Sequence, residues 1–145
     1  KNKARMALNI KELTIINELS LTVGLIMLTI GNFLGGMWAN ESWGRYWGWD
    51  PKETWALISI MIYAFVIHMR LIPALKSKWM FNFSSVLAFG SIMMTYFGVN
   101  FYLSGLHSYA SGDKIITPNF VYYALFFVTL LGGASYWRFK KMYRK

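Results

Sequence analysis

The sequence predicts an all-α, polytopic membrane protein with four transmembrane helices, and its composition and charge pattern support this fold class. Hydrophobic residues make up 56% of the chain and charged residues 14%, whereas about a quarter of a typical soluble domain is charged. The charges are clustered, so four apolar runs contain almost none. We treat residues 1–145 as a single membrane domain and, because the chain begins with a lysine, expect it to be the C-terminal part of a longer protein.

The apolar runs predict helices at about residues 19–38, 52–69, 79–103 and 120–137. A helix needs about 20 residues to cross the hydrocarbon core of a bilayer. Three runs meet that length, and the second does so only if Lys52 and Glu53 begin the helix outside the core. Because backbone polar groups must be hydrogen-bonded inside lipid, four spanning helices are the economical interpretation.

Basic residues predict the orientation of these helices. Four of the fifteen lie near the chain start, three between the second and third runs, and five at the C-terminus. The other three are Arg45, Lys52 and Lys114. Loops rich in lysine and arginine stay on the cytoplasmic side, so both termini should be cytoplasmic or stromal. The Trp-rich segment 39–54 and the His-containing loop 104–118 should then be external. Basic residues in short separate blocks do not form the continuous face that nucleic acid requires, so no nucleic-acid partner is expected.

Tryptophan is concentrated between the first two runs, where five of the seven lie between Trp38 and Trp55. Tryptophans near the ends of apolar runs are typical of an interfacial aromatic belt. In contrast, Trp43, Trp47 and Trp49 lie between the two helices, interleaved with glycines. A flat shelf of such rings suits a large, planar, apolar ligand. The residues alone leave the belt and the ligand shelf both open.

The segment Asp50-Pro51-Lys52-Glu53 has the pattern of a helix start. Aspartate is a good N-cap, proline is favoured at the first helical position, and glutamate at the third can bond back to the cap. The alternative is that Asp50 and Glu53 form an acid–base pair. The two interpretations are compatible, since a fixed helix start would hold the tryptophans in place.

The two histidines are candidate metal ligands, because the chain contains no cysteine. His68 lies in the second run and shares a helical face with Thr54 and Met61. It is either a hydrogen-bonded residue between helices or a functional group within the membrane. His107 follows the third run on the side predicted for the tryptophans, and it is either a solvated loop residue or a ligand. The methionines are interpreted as packing residues.

The stretch Trp43–Glu53 resembles the WWD motif, W-G-x-x-W-x-W-D-x-x-E, of haem-handling proteins in cytochrome c maturation. The similarity also includes residues 39–41, 51–57 and 105–109 together with His68. It points to the CcsA branch, the membrane part of the System II cytochrome c synthase (CcsBA), and extends over essentially the whole chain. The family has further helices upstream, which supply one external and one transmembrane histidine that this chain lacks.

The resemblance implies that the complete protein moves haem b (iron protoporphyrin IX) from the cytoplasmic side to an external tryptophan platform. There the haem would meet a Cys-x-x-Cys-His segment of apocytochrome c for thioether attachment, a synthase or haem lyase activity. By resemblance, His68 would ligate haem iron within the membrane. His107 would be an axial iron ligand of the external haem and the catalytic residue. The further haem-binding residues would be Trp43, Arg45, Tyr46, Trp47, Trp49 and Asp50. Arg45 and Lys52 are the only cations beside the predicted shelf, and both are candidates to pair with haem propionates.

The implied location is the bacterial cytoplasmic membrane or the thylakoid membrane. The implied partners are lipid, upstream helices, and a soluble domain that is fused or supplied as a separate subunit. Three other functions stay open. One is a System I protein that passes haem to or from a chaperone. Another is an electron-transferring membrane cytochrome b, which needs paired histidines on membrane helices. The last is a structural subunit with a tryptophan belt.

Overall fold

The computed structural model describes residues 2–103 and 117–143, and within these ranges it contains helices and no strand. Four helical stretches there are long and apolar enough to cross a membrane: Asn2–Trp43, Pro51–Leu71, Lys78–Tyr102 and Asn119–Met142. The predicted fold class, an all-α multi-pass membrane protein, is therefore confirmed.

The first helix, α1 (Asn2–Trp43), has 42 residues and continues beyond the predicted span on both sides. At 1.5 Å per residue it is about 63 Å long, twice the hydrocarbon thickness of a bilayer. An apolar run shows where a helix can cross lipid, not where the helix ends. The polar flank before residue 19 contains good helix formers and no proline, so the helix extends through it. Helix α1 stops where Gly44 has a φ of +71° and its N–H donates to the Asn40 carbonyl (2.8 Å), a glycine C-cap.

The second helix, α2 (Pro51–His68), runs back along α1. Two 3₁₀ turns follow it, Met69–Leu71 and Pro73–Leu75. An ion pair between the Glu18 carboxylate and the Arg70 guanidinium fastens the first of these turns to α1. Ser77 is the N-cap of the next helix, since its hydroxyl accepts from the Met80 N–H. The turn between the two helices is thus built from local caps and one ion pair.

The third membrane-length stretch is not uniform. It comprises α3 (Lys78–Met93), a π-helical segment (Met94–Gly98) and α4 (Val99–Tyr102). The Thr95 hydroxyl in the π-helical segment lies 3.1 Å from the Trp55 carbonyl oxygen and 3.1 Å from the hydroxyl of the fully buried Ser59. The wider turn therefore brings a polar group against α2. The last helix is α5 (Asn119–Tyr143).

The packed interior is small and lies where α1, α2 and α3 approach the α2–α3 turn. Its buried apolar residues are Leu21, Val66, Met69, Phe81 and Ala88. Most other large apolar side chains are exposed. That exposure is expected of a membrane protein, in which lipid covers the outer faces and association relies on close packing and interhelical hydrogen bonds.

A polar bridge links α1 to α3 among these apolar residues. The Asn17 side-chain amide donates to the Asn82 side-chain oxygen (2.9 Å) and to the Ser85 hydroxyl (2.8 Å). The Asn82 amide in turn donates to the Thr14 hydroxyl (2.8 Å). Hydrogen bonds of this kind between membrane helices contribute about 0.6 kcal/mol each. We call this set the Asn17–Asn82 bridge.

The loops are narrower than predicted. Residues 39–43 belong to α1 and residues 51–54 to α2, so the predicted Trp-rich segment 39–54 is a loop only at residues 44–50, which we call the Trp loop. Nothing before Gly44 breaks the helix, which is why the sequence pattern placed the loop too early. Of the predicted loop 104–118, residues 104–116 lie outside the described residues.

Alternating helix directions give the molecule two distinct ends. One end carries the Trp loop, together with Tyr102 and Thr117, whose hydroxyls are hydrogen-bonded (2.8 Å). The other end carries the start of α1, the α2–α3 turn and the C-terminal part of α5. Most described basic residues lie at this end: Lys3, Arg5, Lys11, Arg70, Lys76, Lys78, Arg138, Lys140 and Lys141. We call it the basic end.

Candidate functional site

The start of α2 is built as the sequence predicts. Asp50 is the N-cap, Pro51 occupies the first turn, and the reciprocal bonds of a capping box join Asp50 to Glu53. The Asp50 carboxylate accepts from the Lys52 N–H (3.3 Å), and a Glu53 carboxylate oxygen accepts from the Asp50 N–H (3.2 Å). Asp50 is only 6% exposed. The predicted structural role of this pair is confirmed.

Glu53 has a further role that the sequence did not reveal. The same carboxylate oxygen also accepts from the Gly48 N–H (2.8 Å), two residues before the cap. One side chain therefore accepts from the backbone N–H groups of both residues that flank Trp49. The only sequence signal was an acidic residue five positions after a glycine, which does not by itself indicate a bond.

Trp49 adopts an unfavourable backbone conformation between these two anchors. Its φ is +57°, which lies in the left-handed region that residues other than glycine rarely occupy. Such a conformation costs about 1–3 kcal/mol and persists where the surroundings impose it. The bonds that the Gly48 and Asp50 N–H groups donate to Glu53 supply that constraint. The result is an indole that is 72% exposed at the tip of the Trp loop.

The tryptophans form two perpendicular pairs and not the flat shelf that was predicted. The rings of Trp47 and Trp49 lie 5.8 Å apart with their planes at 90°. Those of Trp38 and Trp43 lie 5.0 Å apart at 80°. Each pair makes the edge-to-face contact that aromatic quadrupoles favour. A planar ligand could therefore lie against one ring of a pair and meet the edge of the other.

A groove of about 490 Å³ opens beside the Trp loop. Trp38, Tyr46 and Trp47 line it on the aromatic side, and Lys52, Glu53 and Thr95 are its polar wall. Three glycines of α1 form its floor: Gly31, Gly35 and Gly36. A Cβ atom at Gly36 would lie 3.2 Å from the Tyr46 carbonyl oxygen, so glycine lets the loop approach α1 closely. The volume is in the range of small-molecule sites.

The two predicted cations beside the loop differ in their surroundings. The Arg45 side chain is exposed, and its guanidinium folds over Gly48, where a Cβ would collide with it. The Lys52 ammonium donates to the Asn100 side-chain oxygen (3.3 Å) and so links α2 to α4. Lys52 is thus engaged with another helix while also lining the groove.

His68 lies at the opposite end of α2 from the Trp loop. The separation along the helix is about 27 Å, because His68 follows Asp50 by 18 residues at 1.5 Å each. Its Nδ1–H donates to the Ala64 carbonyl of the same helix (2.7 Å). A ring whose Nδ1 carries the proton presents the Nε2 lone pair as its coordinating atom. The side chain is exposed, on a face that also exposes Met61 and Phe65.

The structure therefore brings together the predicted residues of the Trp loop and does not bring His68 to them. His107 lies outside the described residues, so its predicted position beside the Trp loop is untested. The nearest described residues on either side are Leu103 and Thr117, at the Trp-loop end of the molecule.

Comparison with known proteins gives a consistent result for most of the chain. The family described as Cytochrome C assembly protein matches residues 1–107. The chain is 62% identical over 106 residues to Protein NrfI of Wolinella succinogenes, covering 73% of this chain and 12% of that protein. It is 46% identical over 104 residues to cytochrome c biogenesis protein CcsA of Cuscuta reflexa, covering 70% and 33%. For CcsA of Prochlorococcus marinus (strain MIT 9215), identity is 44% over 102 residues, covering 68% and 32%.

The family match covers less of this chain than the resemblance implied. The family match ends at residue 107, so α5 lies beyond it. The chain spans about a third of the length of the CcsA proteins and 12% of NrfI.

Proposed function

Since the chain belongs to the cytochrome c assembly protein family, we propose that it carries the haem-presenting part of a cytochrome c synthase. In the complete protein, haem b would move from the basic end to the Trp loop. There it would meet the Cys-x-x-Cys-His segment of an apocytochrome c. The family favours this assembly role over electron transfer or a purely structural belt.

The observation that carries the proposal is the strained display of Trp49. An interfacial belt needs only exposed indoles, and unstrained helix positions provide them, as at Trp137. Here Glu53 holds two peptide groups so that a left-handed residue exposes its ring. Sparsely populated backbone conformations cluster at ligand-binding positions. We infer that the ring faces a planar ligand, and haem is the one the family handles.

We place the haem edge in the groove beside the Trp loop. Trp47 lines that groove and contacts Trp49 edge to face. One ring would lie flat on the porphyrin while the other closes its edge. The exposed Arg45 guanidinium suits a carboxylate, and a haem propionate is the carboxylate we assign to it. Tyr46 and Trp43 complete the aromatic surroundings, and Asp50 fixes the helix start beneath them.

The two histidines act on haem iron at different ends in this proposal. His68 has its Nδ1 proton committed to Ala64, so Nε2 would ligate haem within the membrane near the basic end. His107 would hold the iron of the external haem as an axial ligand. With the haem held there, each thiol of the apocytochrome adds across a vinyl C=C bond. An S–C bond forms, and the other vinyl carbon takes up a proton. The chain supplies position and iron ligation to that addition.

The proposal is tested by replacing Trp49 with glycine in the complete protein. Glycine accepts a positive φ without strain, so Trp49→Gly should leave the Trp loop at least as stable while removing the ring. We expect cytochrome c formation in cells to fall about tenfold or more, since aromatic stacking on a planar ring contributes about 1–3 kcal/mol. Trp49→Phe should retain more activity than Trp49→Gly.

Trp137→Gly is the control, because Trp137 is an exposed tryptophan at the other end of the molecule. Protein amounts in the membrane and the haem absorption spectrum are measured alongside. Wild-type cytochrome c formation in Trp49→Gly would refute the proposal. Equal losses in Trp49→Gly and Trp137→Gly would instead favour a belt.

A further inference from the structure

We propose that a groove between α1 and α5, floored by α3 at the basic end, binds one anionic phospholipid. This site is separate from the Trp loop and from the face of α2 that carries His68. Lipid binding does not depend on the proposed haem chemistry. The leaflet follows from the proposed orientation, in which the basic end is cytoplasmic.

The walls of the groove are apolar and come from three helices. The groove has a volume of about 780 Å³. Met6 and Ile10 line it from α1, Val86 from α3, and Val128 and Leu131 from α5. Helix α5 is attached to α3 by Trp79, whose indole N–H donates to the Ser135 hydroxyl (2.8 Å). Most of the residues that line the groove are apolar.

The mouth of the groove is cationic. Lys3, Lys78, Arg138 and Lys141 all line it, and none of its lining residues is acidic. The Lys141 ammonium lies 5.5 Å from the centre of the Trp137 ring, so it is partly engaged in a cation–π contact. The other three cations are exposed at the helix ends. Arginine and lysine together are the usual partners of a phosphate group.

The order of these features along the helix axis identifies the occupant. Lys78 begins α3, and Val86 lies about 12 Å further along it at 1.5 Å per residue. Charge at the helix ends and apolar walls deeper in the bilayer match a phosphate headgroup and its acyl chains. Basic pockets between membrane helices bind anionic headgroups in this way. A soluble anion would leave the apolar walls without a matching group, and an apolar helix would leave the four cations without one.

The test uses the complete protein in bilayers that contain equal amounts of phosphatidylglycerol and phosphatidylcholine with identical acyl chains. After extraction, native mass spectrometry should find one phosphatidylglycerol retained per protein. The double variant Lys78→Gln with Arg138→Gln should bind it about 25-fold more weakly, at about five-fold per removed cation. The double variant Lys76→Gln with Lys140→Gln removes the same charge at the same end, outside the groove, and should stay within about two-fold of wild type.

A second measurement avoids variants that fail to fold. A photo-crosslinking amino acid is placed at Val86, which lines the groove about 12 Å along α3 from Lys78. In intact membranes it should acquire the mass of a phospholipid. Crosslinking to a protein segment there would overturn the proposal in favour of an upstream helix. Equal retention of the two lipids, or equal losses in the two double variants, would overturn it in favour of nonspecific binding. None of these lipid measurements depends on cytochrome c formation, so the lipid site and the proposed haem presentation can be refuted separately.

Discussion

At the scale of single residues, Glu53 decides what the Trp loop presents. Its bond to Asp50 was predictable, because the capping box is a local pattern with a fixed spacing. Its bond to Gly48 was not, because that bond depends on the backbone path of the loop, in which Trp49 has a positive φ. The angle between the Trp47 and Trp49 rings depends on the same loop backbone, while Trp38 and Trp43 meet on α1. Their residue types were therefore readable from the sequence, while the perpendicular arrangement was not.

Asp50 provides a residue-scale prediction about capping. Asp50→Asn keeps an oxygen that accepts from the Lys52 N–H, so it should retain most cytochrome c formation. Asp50→Ala leaves the first turn uncapped and should lower the free energy of unfolding by about 0.5–2 kcal/mol. For both variants, thermal unfolding of the purified protein measures stability, and the yield of cytochrome c measures function. If Asn and Ala variants lose function equally at normal protein levels, the carboxylate charge itself is required.

At the scale of elements, α2 connects two proposed haem positions. Its first residues carry the capped Trp loop, and its last carries His68 with Nδ1 bonded to Ala64. The apolar run predicted the middle of α2, because hydrophobicity determines which part of a helix crosses the bilayer. The ends of α1 were not predicted, because polar residues with high helix propensity extend that helix beyond the run. No sequence pattern predicted the π-helical segment.

His68 provides the element-scale prediction. His68→Ala should lower the haem content of the purified complete protein about tenfold or more, since loss of even an outer-shell partner of a metal ligand costs 10–100-fold in affinity. Met61→Leu, on the same exposed face, is the control and should load haem normally. The haem absorption spectrum measures both. Normal haem loading and normal cytochrome c yield in His68→Ala would reduce His68 to a packing residue.

At the scale of the whole molecule, the two ends differ in charge and in chemistry. Most described basic residues lie at one end and the tryptophan pairs at the other. That separation was readable from the sequence, since it depends only on the order of charges between apolar runs. The groove between α1 and α5 could not be predicted from the sequence, because it depends on the distance between these two helices where they pack against α3.

Orientation in the membrane provides the whole-molecule prediction. The chain contains no cysteine, so an introduced thiol reports without background. Ser42→Cys, at the end of α1, should react with an impermeant thiol reagent added outside intact cells. Lys76→Cys, in the α2–α3 turn, should react only after the membrane is opened. The reverse labelling pattern would place the Trp loop in the cytoplasm and exclude external haem presentation.

The length of α1 has a mechanical consequence. The Asn17–Asn82 bridge and the Glu18–Arg70 ion pair both hold α1 near Asn17, so a rigid tilt of this helix would turn about that point. The arm from there to Trp43 is about 39 Å long at 1.5 Å per residue. A tilt of about 5° would therefore carry Trp43 through about 3 Å. In such a tilt Trp43 would move further than the start of the helix, because the arm from Asn17 back to Asn2 is only about 22 Å long.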